Sequence, residues 1–264
     1  IFVIILGIVD LEELNTGVSL GFQFSKFFDI NSIVVVVFGT LAATMVNFSF
    51  DKIFGVLKVI ANVFKNKKSV ELETVNQILK IAEEYQKNGP KGLDNYSKNI
   101  EDPFIRNAIE MIPVENNNDR FQSFLNSELK SMKERHAQGQ ELLYNMGAYA
   151  PAFGMLGTVM GLILMMMSQM GSEAMEIDLN GVLVDMGLAL RTTFYGVILA
   201  NLLFIPMAGK LKNMSLQDVY IREIMIEGLT CVHRKEHPIL IKDKLSAYLS
   251  LELKVKLKKD TSFE

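Results

Sequence analysis

Apolar blocks without charge alternate along this chain with charged stretches of helical period. Residues 148–170 carry no charged side chain across 23 positions, and residues 186–209 carry one, Arg191. Each block is long enough to cross a bilayer as a helix, which takes about 20 residues. Residues 33–46 are also uncharged, and with their flanks, 30–50, they reach the same length. The valines at 34–37 would suit a buried strand, but the uncharged stretch is too long for one and no partner strands follow. Residues 1–9 are apolar throughout and would cover only ~14 Å as a helix. They are expected to be the outer end of a spanning helix whose beginning precedes the sequence.

Between the second and third apolar blocks the pattern is that of an amphipathic helical domain. Val70, Leu72, Val75, Ile78, Leu79 and Ala82 recur mostly at three- and four-residue intervals. Asn88-Gly89-Pro90 breaks that run. Asp102-Pro103 opens a second helix with proline at its first position, expected over 103–112. Residues 115–119 read as a turn. From Arg120 to Tyr149 there is no proline and only two glycines, so a single helix is expected to run on into the third span.

Lysine and arginine orient the chain. Fourteen of them lie between Lys52 and Gly147 and eleven between Lys210 and Lys259. The short connections 10–29 and 171–185 contain only Lys26 and carry eight carboxylates, Asp29 and Asp185 among them. Positive charge stays on the cytoplasmic side. The domain between the hairpins, the basic tail and both termini are therefore expected in the cytoplasm. The expected fold is an all-α polytopic membrane protein with four transmembrane helices. Its parts are a first hairpin over 1–50, a cytoplasmic helical domain over 51–147, a second hairpin over 148–209 and a C-terminal helix and tail over 210–264.

Composition narrows the function. Hydrophobic residues make up 49% and charged residues 22%, with mean hydropathy +0.22. A net charge of −3 gives no basic surface for nucleic acid. One cysteine, Cys231, rules out an intrachain disulfide, and three histidines are too scattered for a zinc site. No nucleophile–base pair or phosphate loop is apparent, so no enzyme and no cofactor are expected.

The remaining chemistry lies inside the spans, where polar groups are penalised and so mark function by default. The third span carries Thr158, and the fourth carries Thr192 and Thr193. Their hydroxyls either bond back to their own helix or supply oxygen to a partly dehydrated cation. Gly154, Gly157 and Gly161 share one face that admits a close neighbour. Pro151 and Pro206 sit where the spans enter and leave the membrane. No carboxylate stands mid-span, so a partner must bring the group that binds and releases an ion. Arg191 either snorkels to the interface or pairs with a carboxylate, for which Asp29 is the favoured candidate.

Ala-Pro-Ala-Phe-Gly-Met-Leu-Gly-Thr-Val-Met-Gly-Leu at 150–162 and Leu-Arg-Thr-Thr-Phe-Tyr-Gly at 190–196, followed by Pro206, resemble the MotA/PomA subunits of the flagellar stator. The resemblance covers nearly the whole chain. It implies a homopentamer around a dimer of a MotB/PomB-type subunit, which carries the ion-binding aspartate and a peptidoglycan-binding domain. It also implies torque on the rotor protein FliG. Pro151 and Pro206 match the prolines that couple ion movement to shape change. Asp29, Thr158 and Thr193, with Thr192 beside it, match positions of sodium-type subunits, which favours Na+ over H+. Lys87 and Asp94 match the charged rotor contact, although Gln86, Pro90 and Lys91 depart from its pattern. An ordinary solvated face is the alternative there. A TolQ/ExbB-like energiser, or another motor of the same superfamily outside flagella, is the competing function.

Overall fold

The computed structural model describes residues 27–63, 70–97, 100–170 and 179–260. The expected partial span at 1–9 lies outside them. Helix is the only regular structure among the described residues. In chain order the helices are α1 (Ile30–Asn47), α2 (Phe50–Val63), α3 (Glu71–Ser97), α4 (Pro103–Met111), α5 (Asn118–Met170) and α6 (Leu179–Ile198). A π-helical stretch (Leu199–Phe204), α7 (Ile205–His233), α8 (Pro238–Ser246) and α9 (Leu251–Asp260) follow. Three stretches are long and apolar enough to span a membrane: Ile30–Asn47, Asn118–Ser168 and Asn180–His233.

The chain forms two compact units. One comprises residues 1–62 and 138–211, the other 63–137 and 212–264, and α5 and α7 supply residues to both.

The second unit has an ordinary buried core. Val75, Ile78, Leu79 and Ala82 of α3 meet Ile105, Ala108 and Ile109 of α4, Phe121 and Leu125 of α5, Ile224 and Leu229 of α7, and Ile241 and Leu245 of α8. Asp102 caps α4: its Oδ1 accepts from the Phe104 N–H at 2.9 Å. The same oxygen accepts from Arg222 Nη1 at 2.7 Å, and that guanidinium lies 4.8 Å from the centre of the Phe104 ring. His233 stacks on Phe121 at 4.5 Å and bonds the Glu115 carbonyl through Nε2 at 2.6 Å, which holds the turn before α5.

Two expected boundaries shift. The second span ends at Asn47, where Phe48 takes an extended conformation, rather than at residue 50. The helix of the fourth span starts at Leu179, ahead of Asp185. Helix runs on past Pro206 to His233. Proline has no N–H, and in a regular α-helix its ring meets the carbonyl four residues back. The π-helical turn just before it widens the spiral: the Ile205 N–H reaches back five residues to Ala200.

The Asn88-Gly89-Pro90 break is a sharp kink within α3. Gly89 sits at φ 62°, ψ −157°, with open space where a Cβ would be. Gly89→Ala should therefore destabilise through the backbone alone, by about 1–2 kcal/mol. Thermal unfolding of the purified full chain checks this, and an unchanged melting temperature would contradict it.

Candidate functional site

The membrane unit is organised around the seam between α5 and α6. A methyl group added at Gly154 would lie 3.0 Å from the Thr192 carbonyl oxygen, and one at Gly157 would lie 2.5 Å from Thr192 Cβ. From the other side, a methyl at Gly196 would lie 2.6 Å from the Ala150 carbonyl oxygen and 3.2 Å from Pro151 Cα. Gly161 meets Ala189 in the same way, at 2.9 Å. The two backbones are thus as close as the absence of side chains allows.

Helix α1 lies along α6. Its buried face is Ser32, Val36, Thr40 and Thr44, each four residues apart or a multiple of it. Thr40 Oγ1 donates to the Val36 carbonyl at 2.6 Å and Thr44 Oγ1 to the Thr40 carbonyl at 2.7 Å. These hydroxyls enter the interior already satisfied by their own helix. The Phe153 ring of α5 covers Gly39, with its nearest carbon 2.3 Å from where a Cβ would stand. Val36, Ala150 and Ala200 close the small apolar centre.

The three expected threonines separate into two environments. Thr192 is 1% exposed, packed on Gly157. Its hydroxyl donates to the Ala189 carbonyl at 2.8 Å. Thr193 and Thr158 are only partly buried. Thr193 Oγ1 reaches the same carbonyl at 3.5 Å, and Thr158 Oγ1 donates to the Met155 carbonyl at 2.6 Å. A hydroxyl that donates its proton keeps its oxygen lone pairs as acceptors. On Thr158 and Thr193 those lone pairs lie on accessible side chains.

Asp29 stands at the N-cap of α1. Its Oδ2 accepts from the Ser32 N–H at 2.8 Å and from Ser32 Oγ at 2.6 Å. The Asn31 N–H also bears on this carboxyl. The Ser32 hydroxyl holds this carboxyl below the ordinary value of 3.8, against a smaller opposing effect of burial. The Ser32 N–H and the charge of Arg191 push the same way. Arg191 is felt at Asp29 without forming a contact ion pair. Its guanidinium turns back along α6, 3.8 Å from where a Gly187 Cβ would be.

The other expected residues are placed as follows. Pro151 lies within the unbroken α5, against Gly196. Pro206 is exposed, just past the π-helical turn. Lys87 is exposed on α3, two residues before the Gly89 kink. Asp94 falls after that kink, and its side chain lies outside the described ones.

Sequence reasoning passed over Tyr195. Its hydroxyl accepts from the Asp29 N–H at 3.3 Å and donates to the Phe27 carbonyl. The Thr40 and Thr44 pair was also passed over, although its four-residue spacing in an apolar run was a usable signal.

Gly157→Val should force the α5–α6 seam apart, at a cost of about 1–3 kcal/mol typical of overpacking. Gly209→Ala meets nothing within 4 Å and should be tolerated. Thermal stability of the two purified variants checks the contrast, and equal melting temperatures would refute the seam as the point of closest packing.

Residues 96–224 match the MotA/TolQ/ExbB proton channel family. Motility protein A of Treponema phagedenis is 32% identical over 248 residues, covering 92% of this chain and 93% of that protein. Chemotaxis protein PomA of Vibrio alginolyticus is 28% identical over 231 residues, 88% of each chain. Among solved structures, the flagellar MotAB stator complex from Bacillus subtilis contains a chain that superimposes with a TM-score of 0.77. Its identity is 25%, covering 97% of this chain and 96% of that one. The glycine–threonine hairpin thus belongs to a shared architecture that extends over almost the whole sequence, and the chain belongs to the motility protein A (MotA/PomA) family.

Proposed function

We propose that this chain is a flagellar stator subunit that, with a MotB/PomB-type partner, carries cations across the inner membrane and turns the flow into torque. The observation that carries this reading is the composition of the described spans. Across 30–47, 148–168 and 186–209 they offer hydroxyl and carbonyl oxygen and no carboxylate, Asp29 and Asp185 standing just outside. Oxygen ligands without fixed charge can pass a partly dehydrated cation. Binding and release at mid-membrane then fall to a carboxylate on the partner. The work is transport coupled to movement, not a covalent reaction, and no cofactor takes part.

The finer reading rests on the resemblance to the family. Five copies surround a dimer of the partner, embedded in lipid, with both termini in the cytoplasm. The ion is Na+, with H+ as the alternative. Asp29 meets it at the outer end, and Thr158, Thr193 and the buried Thr192 line its route. Pro151 and Pro206 couple the passage to a change of shape, and Lys87 and Asp94 press on the rotor protein FliG. The 92% coverage by a motility protein A favours this over a TolQ/ExbB-like energiser.

Swimming speed in cells carrying this stator alone should rise with external sodium at fixed pH and then saturate. A speed indifferent to sodium would overturn the choice of ion. In the same assay, Thr158→Ala should raise the half-saturating sodium concentration, by the roughly two- to tenfold that a single hydrogen-bonding group is worth. An unshifted value would return Thr158 to a packing role.

Lys87→Glu should behave differently, lowering the maximum speed while leaving the half-saturating concentration unchanged. Undiminished maximum speed would remove Lys87 from the rotor contact.

A further inference from the structure

We propose that Tyr195 is a positioning residue for cation entry: its hydroxyl fastens the outer end of α1 to α6 and so holds the Asp29 carboxylate out of contact with Arg191. The inference rests on the reading of Asp29 as the entry carboxylate.

The N–H of a residue at a helix start has no partner within the helix. Here the Asp29 N–H is taken by the Tyr195 hydroxyl, at 3.3 Å and across 166 positions of sequence. The same hydroxyl donates to the Phe27 carbonyl, so one oxygen ties the chain on both sides of Phe28. The neighbouring ring of Phe194 lies 5.6 Å from Phe27 and 5.8 Å from Tyr195, which closes an aromatic clamp over the junction. Asp29 is therefore held twice, by its backbone on Tyr195 and by Oδ2 on Ser32.

Arg191 explains why the hold matters. It precedes Tyr195 by four residues on α6, so both project from one face of that helix. A carboxylate left loose near a guanidinium is drawn into a bidentate contact pair, which uses both of its oxygens. The two anchors keep Asp29 near enough to feel Arg191 yet out of contact with it. Its charge is then not locked into a contact pair and stays available to an incoming cation.

The test measures swimming speed against external sodium for wild type, Tyr195→Phe, Asp29→Asn and the double variant in the full stator. Tyr195→Phe removes one oxygen and keeps the ring. Asp29→Asn keeps a good N-cap and removes the charge. Tyr195→Phe should raise the half-saturating sodium concentration roughly two- to tenfold, with maximum speed and membrane content near wild type. It should add nothing in the Asp29→Asn background. An unshifted half-saturating concentration in Tyr195→Phe overturns the proposal. So does an equal shift in both backgrounds, because Tyr195 would then act independently of Asp29. Loss of the Tyr195→Phe protein from the membrane makes the residue a fold determinant and also overturns the positioning role. If Asp29→Asn alone leaves the sodium response unchanged, the entry role of Asp29 fails, and the inference fails with it. A shift in Asp29→Asn without one in Tyr195→Phe rejects the clamp only.

Discussion

Between two helices in hydrocarbon there is no hydrophobic gain to be had, because lipid tails are as apolar as leucine side chains. What holds α5 to α6 must then be the number of atoms in contact, which depends on how closely the backbones approach. Gly154, Gly157, Gly161 and Gly196 set that approach at the limit. The rest of the membrane unit follows from it. Thr192 can be fully buried because Gly157 leaves room for it, and Pro151 can sit inside a spanning helix because Gly196 leaves room beside it.

The second constraint is that every polar group taken into this unit needs a partner there. The hydroxyls of Thr40, Thr44, Thr158 and Thr192 all donate to carbonyls of their own helices. That arrangement has two uses. It removes the cost of an unpaired donor, and it points each proton away from the side chain's exposed side, leaving oxygen lone pairs outward. Packing and ion contact are thus not rival explanations for the threonines. The difference among them is access: Thr192 is closed in by Gly157, while Thr158 and Thr193 remain partly open.

How much of this was readable in advance depends on how local each signal is. Asp102-Pro103 names its helix start, Gly89-Pro90 names its kink, and the glycine spacing at 154, 157 and 161 names its contact face. Each uses neighbours within two turns. Tyr195 could not be found that way, because its hydrogen-bonding partners lie 166 and 168 positions away. The start of α6 was misplaced for a related reason. Asp185 looks like the edge of a span when apolarity alone is counted, yet the backbone continues helical through it from Leu179. The passage of the helix through Pro206 was not legible either, because the widened turn before it depends on bonds five residues long. No residue pattern announces those.

That widened turn has a geometric consequence for the long helix that contains it. The inward positions of α6 and the stretch after it are Ala189, Thr192, Gly196, Ala200, the half-buried Phe204, Ala208 and Leu211. A regular helix, at 3.6 residues per turn, alternates steps of three and four along one face. From Gly196 to Ala208 the steps are four, four and four. The spiral takes up about one surplus residue there, and the inward stripe beyond it arrives one position late. The helix therefore has two phases, joined like two lengths of screw thread cut with different starts. A ruler laid along the sequence from Ala189 would name residue 207 where the protein buries Ala208. Changing a side chain within Leu199–Phe204 leaves that offset alone, whereas removing one residue would cancel it and leave a regular helix with Ala208 still facing inward.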